Sequence, residues 1–173
     1  IPILAILGSP QETAIHDEKW HTENFSWGNA RLRRKGFWTD DVSDEWLETM
    51  NKARTRLISC YNCPVACGAS ISMPGLPTYM MKCFTKLTYT MAAMSNLDFG
   101  LTIAQRATEY GVDGYSTPQV MAFALELLEN GILTSKDFPE MPEDNEGRFF
   151  YLLDKIVNRE GIGDILANGT HWA

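Results

Sequence analysis

The sequence predicts a mainly α-helical fold that follows an irregular N-terminal stretch. Apolar residues recur at helical spacing through most of the chain after residue 42, and no strand-like alternation of apolar and polar residues stands out. Glycine and proline residues mark the breaks between the helical segments. The chain has 173 residues, of which 45% are hydrophobic and 21% charged, a composition typical of a folded globular protein.

The first predicted helix begins at Ser43, a suitable N-cap, and runs to about Ile58. One of its faces carries Trp46, Met50, Ala53 and Leu57. A turn rich in proline and glycine follows at residues 74–77, and a buried helix is then expected over residues 82–94.

The second half of the chain carries the strongest helical patterns. Helices are predicted over residues 98–110, 117–130 and 146–158, with a short last helix that begins within residues 161–164. Thr117 followed by Pro118 is a typical helix start, because proline is tolerated at the first helical position.

Charge and hydropathy limit the classes of partner. The 15 basic and 22 acidic residues give a net charge of −7, which argues against a general nucleic-acid-binding surface. The apolar runs are far shorter than the ~18 residues of a membrane span. The opening residues 1–4 lack a basic leader, so we expect a cytoplasmic protein. Because the chain begins without methionine, we expect it to be a segment of a longer protein.

Three of the four cysteines form a compact motif, Cys60-x2-Cys63-x3-Cys67. Thiolates are soft ligands that select iron–sulfur clusters or zinc. Structural zinc more often uses two separated cysteine pairs, so the spacing favours a 4Fe–4S cluster. Zinc binding and disulfide pairing remain the alternatives. Cys83 could be a fourth cluster ligand, a small buried apolar residue or the ligand of a second metal.

A polar stretch near the N-terminus combines histidines with carboxylates. Glu12, His16, Glu18 and His21 lie within ten residues of one another. Histidine titrates near neutrality and neighbouring carboxylates tune it, so this stretch could handle protons. The alternative is an ordinary solvated surface. The spacing does not match the zinc-protease pattern His-Glu-x-x-His.

Several motifs, in one order along the chain, resemble the aldehyde ferredoxin oxidoreductases. Cys60-x2-Cys63-Pro-Val-x-Cys67-Gly is similar to the cluster-binding segment of these tungsten enzymes, which carry a bis-pterin cofactor and a nearby 4Fe–4S cluster. Residues 110–116, Tyr-Gly-Val-Asp-Gly-Tyr-Ser, resemble the family's pterin motif Asp-x-x-Gly-Leu-Asp. Residues 22–25, 122–132 and 159–169 are similar to further family segments.

The family resemblance implies a set of cofactor contacts. Cys60, Cys63 and Cys67 would hold the 4Fe–4S cluster. A tungsten bis-pterin, to which a magnesium ion could be added, would contact Thr108, Gly111, Val112 and Asp113. The chain would then divide into an irregular active-site segment, 1–42, and a helical cluster- and pterin-binding domain, 43–173, that is partial at both ends. The fold implied is the helical middle domain of such an enzyme.

Within the family, residues 16–25, 54–63 and 76–93 are most similar to the branch of class II benzoyl-CoA reductases. This resemblance implies reduction of the aromatic ring of benzoyl-CoA to a cyclic dienoyl-CoA in anaerobic aromatic degradation. It makes Cys83 the protein ligand of tungsten and His21 the proton donor. Other polar residues lining or tuning the site would be Glu12, His16 and Glu18. The implied partners are an aryl-CoA substrate and an iron–sulfur electron-transfer subunit in a hetero-oligomer.

Two departures from the family pattern bear on function. Thr108 stands where the general pterin motif begins with Asp, and Thr78-Tyr79-Met80-Met81 replaces the family's Glu-Tyr-Glu. The loss of those carboxylates argues against ordinary aldehyde oxidation, which is the alternative activity. A non-catalytic helical module stabilised by metal is a third interpretation. The family's N-terminal pterin-cradling domain is missing from this segment, so the segment alone should not hold the cofactor and should be inactive.

Overall fold

The computed structural model describes residues 48–49, 51–62, 68–81 and 96–171. In these ranges the helical residues 48–49 and 51–53 are followed by three strands and then by four helices with defined bounds. They are β1 Arg54–Ile58, β2 Gly68–Ile71, β3 Tyr79–Met81, α1 Leu97–Tyr110, α2 Ser116–Glu129, α3 Asn145–Asn158 and α4 Ile162–Leu166. The prediction of a mainly α-helical chain is confirmed. None of the helices in the described ranges combines the length and apolar character that crossing a membrane requires.

The three strands form one antiparallel sheet in the order β1-β2-β3. Ile58 pairs with Gly68 at one end of the β1–β2 hairpin, and Ile71 pairs with Tyr79 in the β2–β3 hairpin. The prediction of a helix reaching Ile58 is therefore wrong. Residues 51–53 are helical, but the chain then becomes a strand because its backbone pairs with β2.

The strands escaped prediction because they are short and do not alternate. All four positions of β2 are buried, so no exposed polar residue marks a period of two. At five, four and three residues, the strands also lie at or below the lower end of the length over which such a period can be recognised. Only the pairing between segments distant in sequence makes them strands.

The helices after residue 95 agree closely with the predicted ones. The Asn96 side chain accepts a hydrogen bond from the Phe99 amide at 2.9 Å and caps α1, which ends at Gly111 with φ 70°. α2 begins at Ser116, so Pro118 is its third residue rather than its first. α3 is capped by Asp144 and ends before Arg159.

The core lies where the helices meet the sheet. α3 packs against α1, α2 and α4, and Phe149 of α3 meets the Phe99 ring of α1 edge-on, with 6.3 Å between ring centroids. The largest fully buried side chains are Phe149, Ile71, Leu97, Leu101, Ile103, Met121 and Leu125. The predicted helix over residues 82–94 and the irregular residues 1–42 lie outside the described residues.

Candidate functional site

A cleft with a volume of about 360 Å³ lies between β3 and the C-terminal half of α1. This volume is within the range of small-molecule sites. The described residues that line it are Tyr79, Met80, Met81, Ala104, Ala107, Thr108, Gly111, Val112 and Gly114. The cleft therefore has a strand wall, a helix wall and a floor formed by the loop after α1.

Three of the four predicted pterin contacts lie on this cleft. Thr108, Gly111 and Val112 line it, whereas Asp113 is not among the described lining residues. The sequence did not indicate the strand wall, because β3 itself was not predicted. The helix wall had a signal: residues 104, 107, 108 and 111 are spaced as one face of a helix and carry only small side chains.

The helix wall is flat because its residues are small and the helix ends there. Ala104 and Ala107 present single methyl groups. Gly111 adopts a left-handed conformation, with φ 70°, and its amide donates to the carbonyl oxygen of Thr108 at 3.1 Å. A Cβ on Gly111 would meet nothing within 4 Å, so glycine is needed for the backbone angle, not for space.

Two hydroxyl groups on the cleft donate their hydrogens to α1. The Tyr79 hydroxyl donates to the carbonyl oxygen of Leu101 at 2.8 Å, and the Thr108 hydroxyl donates to that of Ala104 at 2.7 Å. Burial raises the pKa of Tyr79 well above its usual range, so this phenol keeps its hydrogen. Each hydroxyl has one hydrogen and two lone pairs, so toward the cleft both can only accept hydrogen bonds.

Asp113 organises the loop that forms the floor of the cleft. Its Oδ2 accepts hydrogen bonds from the Ser116 hydroxyl at 2.6 Å and from the Tyr115 amide at 3.0 Å, and a further bond from the Ser116 amide. The bond from the Ser116 hydroxyl is the main reason that the pKa of Asp113 lies below its usual range, and the two amides add to it. Asp113 thus holds the turn that leads into α2, and Gly114 lies within that turn.

The cysteine motif lies in the connection between β1 and β2. Ile58 and Gly68 are paired, so the hairpin brings together the two ends of the loop that carries Cys60, Cys63 and Cys67. Cys60 is exposed in this loop, and Asn62 has φ 54°, which indicates a tight turn.

The remaining predicted site residues lie outside the described residues. They are Glu12, His16, Glu18, His21, Cys63, Cys67 and Cys83. Within the described ranges, no group of three or more His, Cys, Asp and Glu residues is arranged to hold a metal ion. The roles of those seven residues as metal ligands or proton-handling groups stay predictions.

A family profile described as "Aldehyde ferredoxin oxidoreductase, domains 2 & 3" matches residues 3–173. The WOR-like subunit of the aliphatic sulfonate oxidoreductase of Pyrococcus furiosus is 35% identical over 121 residues, 65% of this chain and 19% of that protein. The tungsten-containing aldehyde ferredoxin oxidoreductase of Pyrococcus horikoshii is 31% identical over 125 residues, 65% of this chain and 20% of that protein.

A solved structure is much more similar. It is the active-site complex BamBC of benzoyl coenzyme A reductase in complex with 1,5-dienoyl-CoA, which is 79% identical with a TM-score of 0.84. The match covers 99% of this chain and 26% of that chain. The chain spans about a fifth of the length of the two Pyrococcus relatives. Because the family profile matches nearly every residue, the chain belongs to the aldehyde ferredoxin oxidoreductase family.

Proposed function

We propose that this chain is part of a tungsten-dependent oxidoreductase that reduces the aromatic ring of benzoyl-CoA to a cyclic dienoyl-CoA. The observation that carries this proposal is the 79% identity, over 99% of the chain, to a benzoyl-CoA reductase complex with 1,5-dienoyl-CoA. The tungsten-containing aldehyde oxidoreductase of Pyrococcus horikoshii reaches only 31% over 65% of the chain. The difference favours ring reduction over aldehyde oxidation.

The cleft fits one pterin of a tungsten bis-pterin cofactor. A pterin is a flat heterocycle whose edge carries N–H donors, and the small side chains of Ala104 and Ala107 leave room for a ring to approach α1. The hydroxyls of Tyr79 and Thr108 offer only acceptor lone pairs, which suit those donors. Gly111 and Val112 complete the contact surface, and Asp113 supports them by holding the floor loop.

Ring reduction adds two electrons and two protons to the substrate, and the first electron is the difficult one because it breaks aromaticity. When bound, the tungsten cofactor and the 4Fe–4S cluster supply electrons of very low potential. Cys60, Cys63 and Cys67 would hold the cluster through their sulfurs, and Cys83 would bind tungsten. A thiolate at this position would tune the metal through its own basicity and hydrogen bonds.

The segment 1–42 would provide the proton-handling groups. The His21 imidazolium would donate one N–H proton to the ring as negative charge develops there, and the second proton of each turnover would come from solvent. Glu12, His16 and Glu18 would line the site or tune His21. Residues 43–173 would then carry the cluster and the pterin cleft.

Aldehyde oxidation is the second candidate activity, favoured by the named activity of the Pyrococcus horikoshii relative. The strand wall argues against it. Met80 is half-exposed on the cleft and Met81 is buried, so this wall offers thioether groups and no carboxylate. Flexible, polarisable methionine side chains pack favourably against aromatic rings.

The partners follow from the electron balance. Two low-potential electrons per ring must come from outside the chain, so an iron–sulfur electron-transfer subunit in a hetero-oligomer is the proposed donor. The solved relative is itself described as a complex. Cysteines that serve as metal ligands must stay reduced, which agrees with a cytoplasmic location.

The test compares two reactions of the complete protein, purified without oxygen. We expect benzoyl-CoA turnover with a low-potential donor, no oxidation of simple aldehydes, and bound tungsten and iron. Replacing His21→Ala should abolish ring reduction and leave the metal content intact, whereas His171→Ala, at an exposed position, should be active. Aldehyde oxidation without ring reduction would favour the second candidate, and zinc as the sole metal would remove both.

A further inference from the structure

A surface cluster on α1 and α3 holds the end of α1 on a face different from the cleft wall. The Tyr110 hydroxyl donates a hydrogen bond to Asp154 Oδ1 at 2.9 Å, across 44 residues of sequence. Arg106 Nε donates to the Tyr110 hydroxyl at 3.2 Å, and Arg106 Nη2 lies 3.9 Å from Asp154 Oδ1. We refer to Arg106, Tyr110 and Asp154 as the Arg106 cluster.

Aromatic rings also contact the Arg106 cluster. The Arg106 guanidinium lies 5.7 Å from the centroid of the Tyr110 ring and 5.9 Å from that of Phe150. Phe150 in turn meets the Phe99 ring of α1 edge-on, with 5.6 Å between centroids. The last turn of α1 is therefore fixed to α3 by hydrogen bonds, charge and ring contacts together.

Along α1, residues of the Arg106 cluster alternate with residues that line the cleft. Thr108 lies between Arg106 and Tyr110 in the last helical turns, and Gly111 directly follows Tyr110. Residues 106 and 110 share one face of α1, while 104, 107, 108 and 111 share another. A shift of the helix backbone at Tyr110 would therefore also shift Thr108 and the Gly111 turn.

We propose that Asp154 and Arg106 are positioning residues, which act through Tyr110 to set the place of Thr108 and Gly111 on the cofactor cleft. The inference rests on the proposed pterin cleft but names a different set of residues, on the outer surface of the helix pair. Helix ends are the least stable part of a helix, and α1 is closed locally by the Gly111 and Val112 amides, which donate to the carbonyl oxygens of Thr108 and Ala107 at 3.1 Å. A tether to a second helix at this end therefore restrains the cleft where local stability is lowest.

The test measures hydrogen exchange in the complete protein prepared without cofactor. Asp154→Ala and Tyr110→Phe should each speed exchange of the amides at 108–112 about fivefold, the effect of one lost surface contact on local opening. Asp154→Asn should restore near-normal exchange, because its amide oxygen still accepts from the Tyr110 hydroxyl. Glu160→Ala is the matched control, since it removes the ion pair between Lys155, on the same helix, and Glu160, just beyond the end of that helix.

In protein loaded with cofactor, the same two variants should change the electron paramagnetic resonance signal of tungsten, while Glu160→Ala and Asp154→Asn keep the native signal. Normal exchange at 108–112 in both variants would overturn the inference, as would an increase spread evenly over α1 and α3. If Asp154→Ala does not fold, Tyr110→Phe decides. Native protein without tungsten would refute the proposed function, yet the exchange measurement would still test the tether.

Discussion

The Tyr79 hydroxyl donates a hydrogen bond to the carbonyl oxygen of Leu101 at 2.8 Å, and so joins the edge of the sheet to the middle of α1. This bond connects two segments that lie 22 residues apart. It sets the separation of the strand wall from the helix wall, and therefore the width of the cleft. The chemistry proposed for the site depends on that width.

Tyr79→Phe tests this hydrogen bond between the sheet and α1. The variant loses one hydrogen bond and should lower the free energy of unfolding by about 1 kcal/mol. Because burial raises the pKa of Tyr79, the difference should be constant below about pH 10 and shrink above it, where the unfolded phenol ionises. Chemical denaturation across that pH range measures the difference in unfolding free energy.

Tyr151→Phe is the control variant. It removes a similar hydrogen bond, to Pro139, and should leave cofactor binding unchanged. Equal cofactor loss in both variants would contradict the role of Tyr79.

Thr108→Val removes the acceptor on the helix wall and keeps the shape of the side chain. We expect pterin and tungsten occupancy to fall roughly tenfold, since an N–H of the cofactor would be left without a partner. Thr108→Ser retains the hydroxyl and should retain the cofactor. Metal analysis after gel filtration compares the two, and equal tungsten in both would remove Thr108 from the binding surface.

Asp113→Ala removes the carboxylate that holds the turn before α2 and should destabilise the protein by about 1 kcal/mol at neutral pH. The pKa of Asp113 is lowered in the folded state, so its contribution is present above the unfolded value of about 3.9 and is lost as the pH falls through the folded value. The difference from the native protein should therefore vanish in acid. Asp113→Asn keeps a neutral acceptor but not the charge, so its stability at pH 7 should lie between that of the native protein and that of Asp113→Ala; native stability of Asp113→Asn would contradict the contribution of the charge.

Gly163→Ala probes the contact between α3 and α4. A Cβ at this position would collide with the backbone carbonyl of Lys155, which cannot yield as a flexible side chain can. We expect a loss of about 1–3 kcal/mol in unfolding free energy, measured by thermal denaturation. Ile165→Ala, at a position that is half-exposed, should change stability by less than about 0.5 kcal/mol. Full stability of Gly163→Ala would mean that the helices can separate without cost.

The helical half of the molecule could be predicted from sequence because its signals are local. Asn96, Gly111 and Asp144 cap or end helices through residues a few positions away, and apolar spacing defines each buried face. The sheet could not be predicted, because Arg54–Ile58 becomes a strand only by pairing with Gly68–Ile71. The strand wall of the cleft could not be predicted either, since Tyr79–Met81 becomes a strand only by pairing with Gly68–Ile71.

The candidate site, too, could be predicted only in part from the sequence. Family resemblance led to Thr108, Gly111 and Val112, and all three line the cleft. It could not indicate that Asp113 holds the turn before α2, or that Tyr79 reaches Leu101, because both depend on how loops and strands meet in space. The roles of the cysteines as metal ligands and of the histidines in proton handling stay predictions where these residues lie outside the described ranges.

The most direct measurement of the central claim is the reverse reaction, in which the complete protein oxidises 1,5-dienoyl-CoA to benzoyl-CoA with an artificial electron acceptor. This direction restores aromaticity and runs downhill, so it needs no low-potential donor. We expect stoichiometric formation of benzoyl-CoA by native protein and none by Cys83→Ser. Protein that carries tungsten and iron yet leaves the dienoyl-CoA unchanged would contradict it.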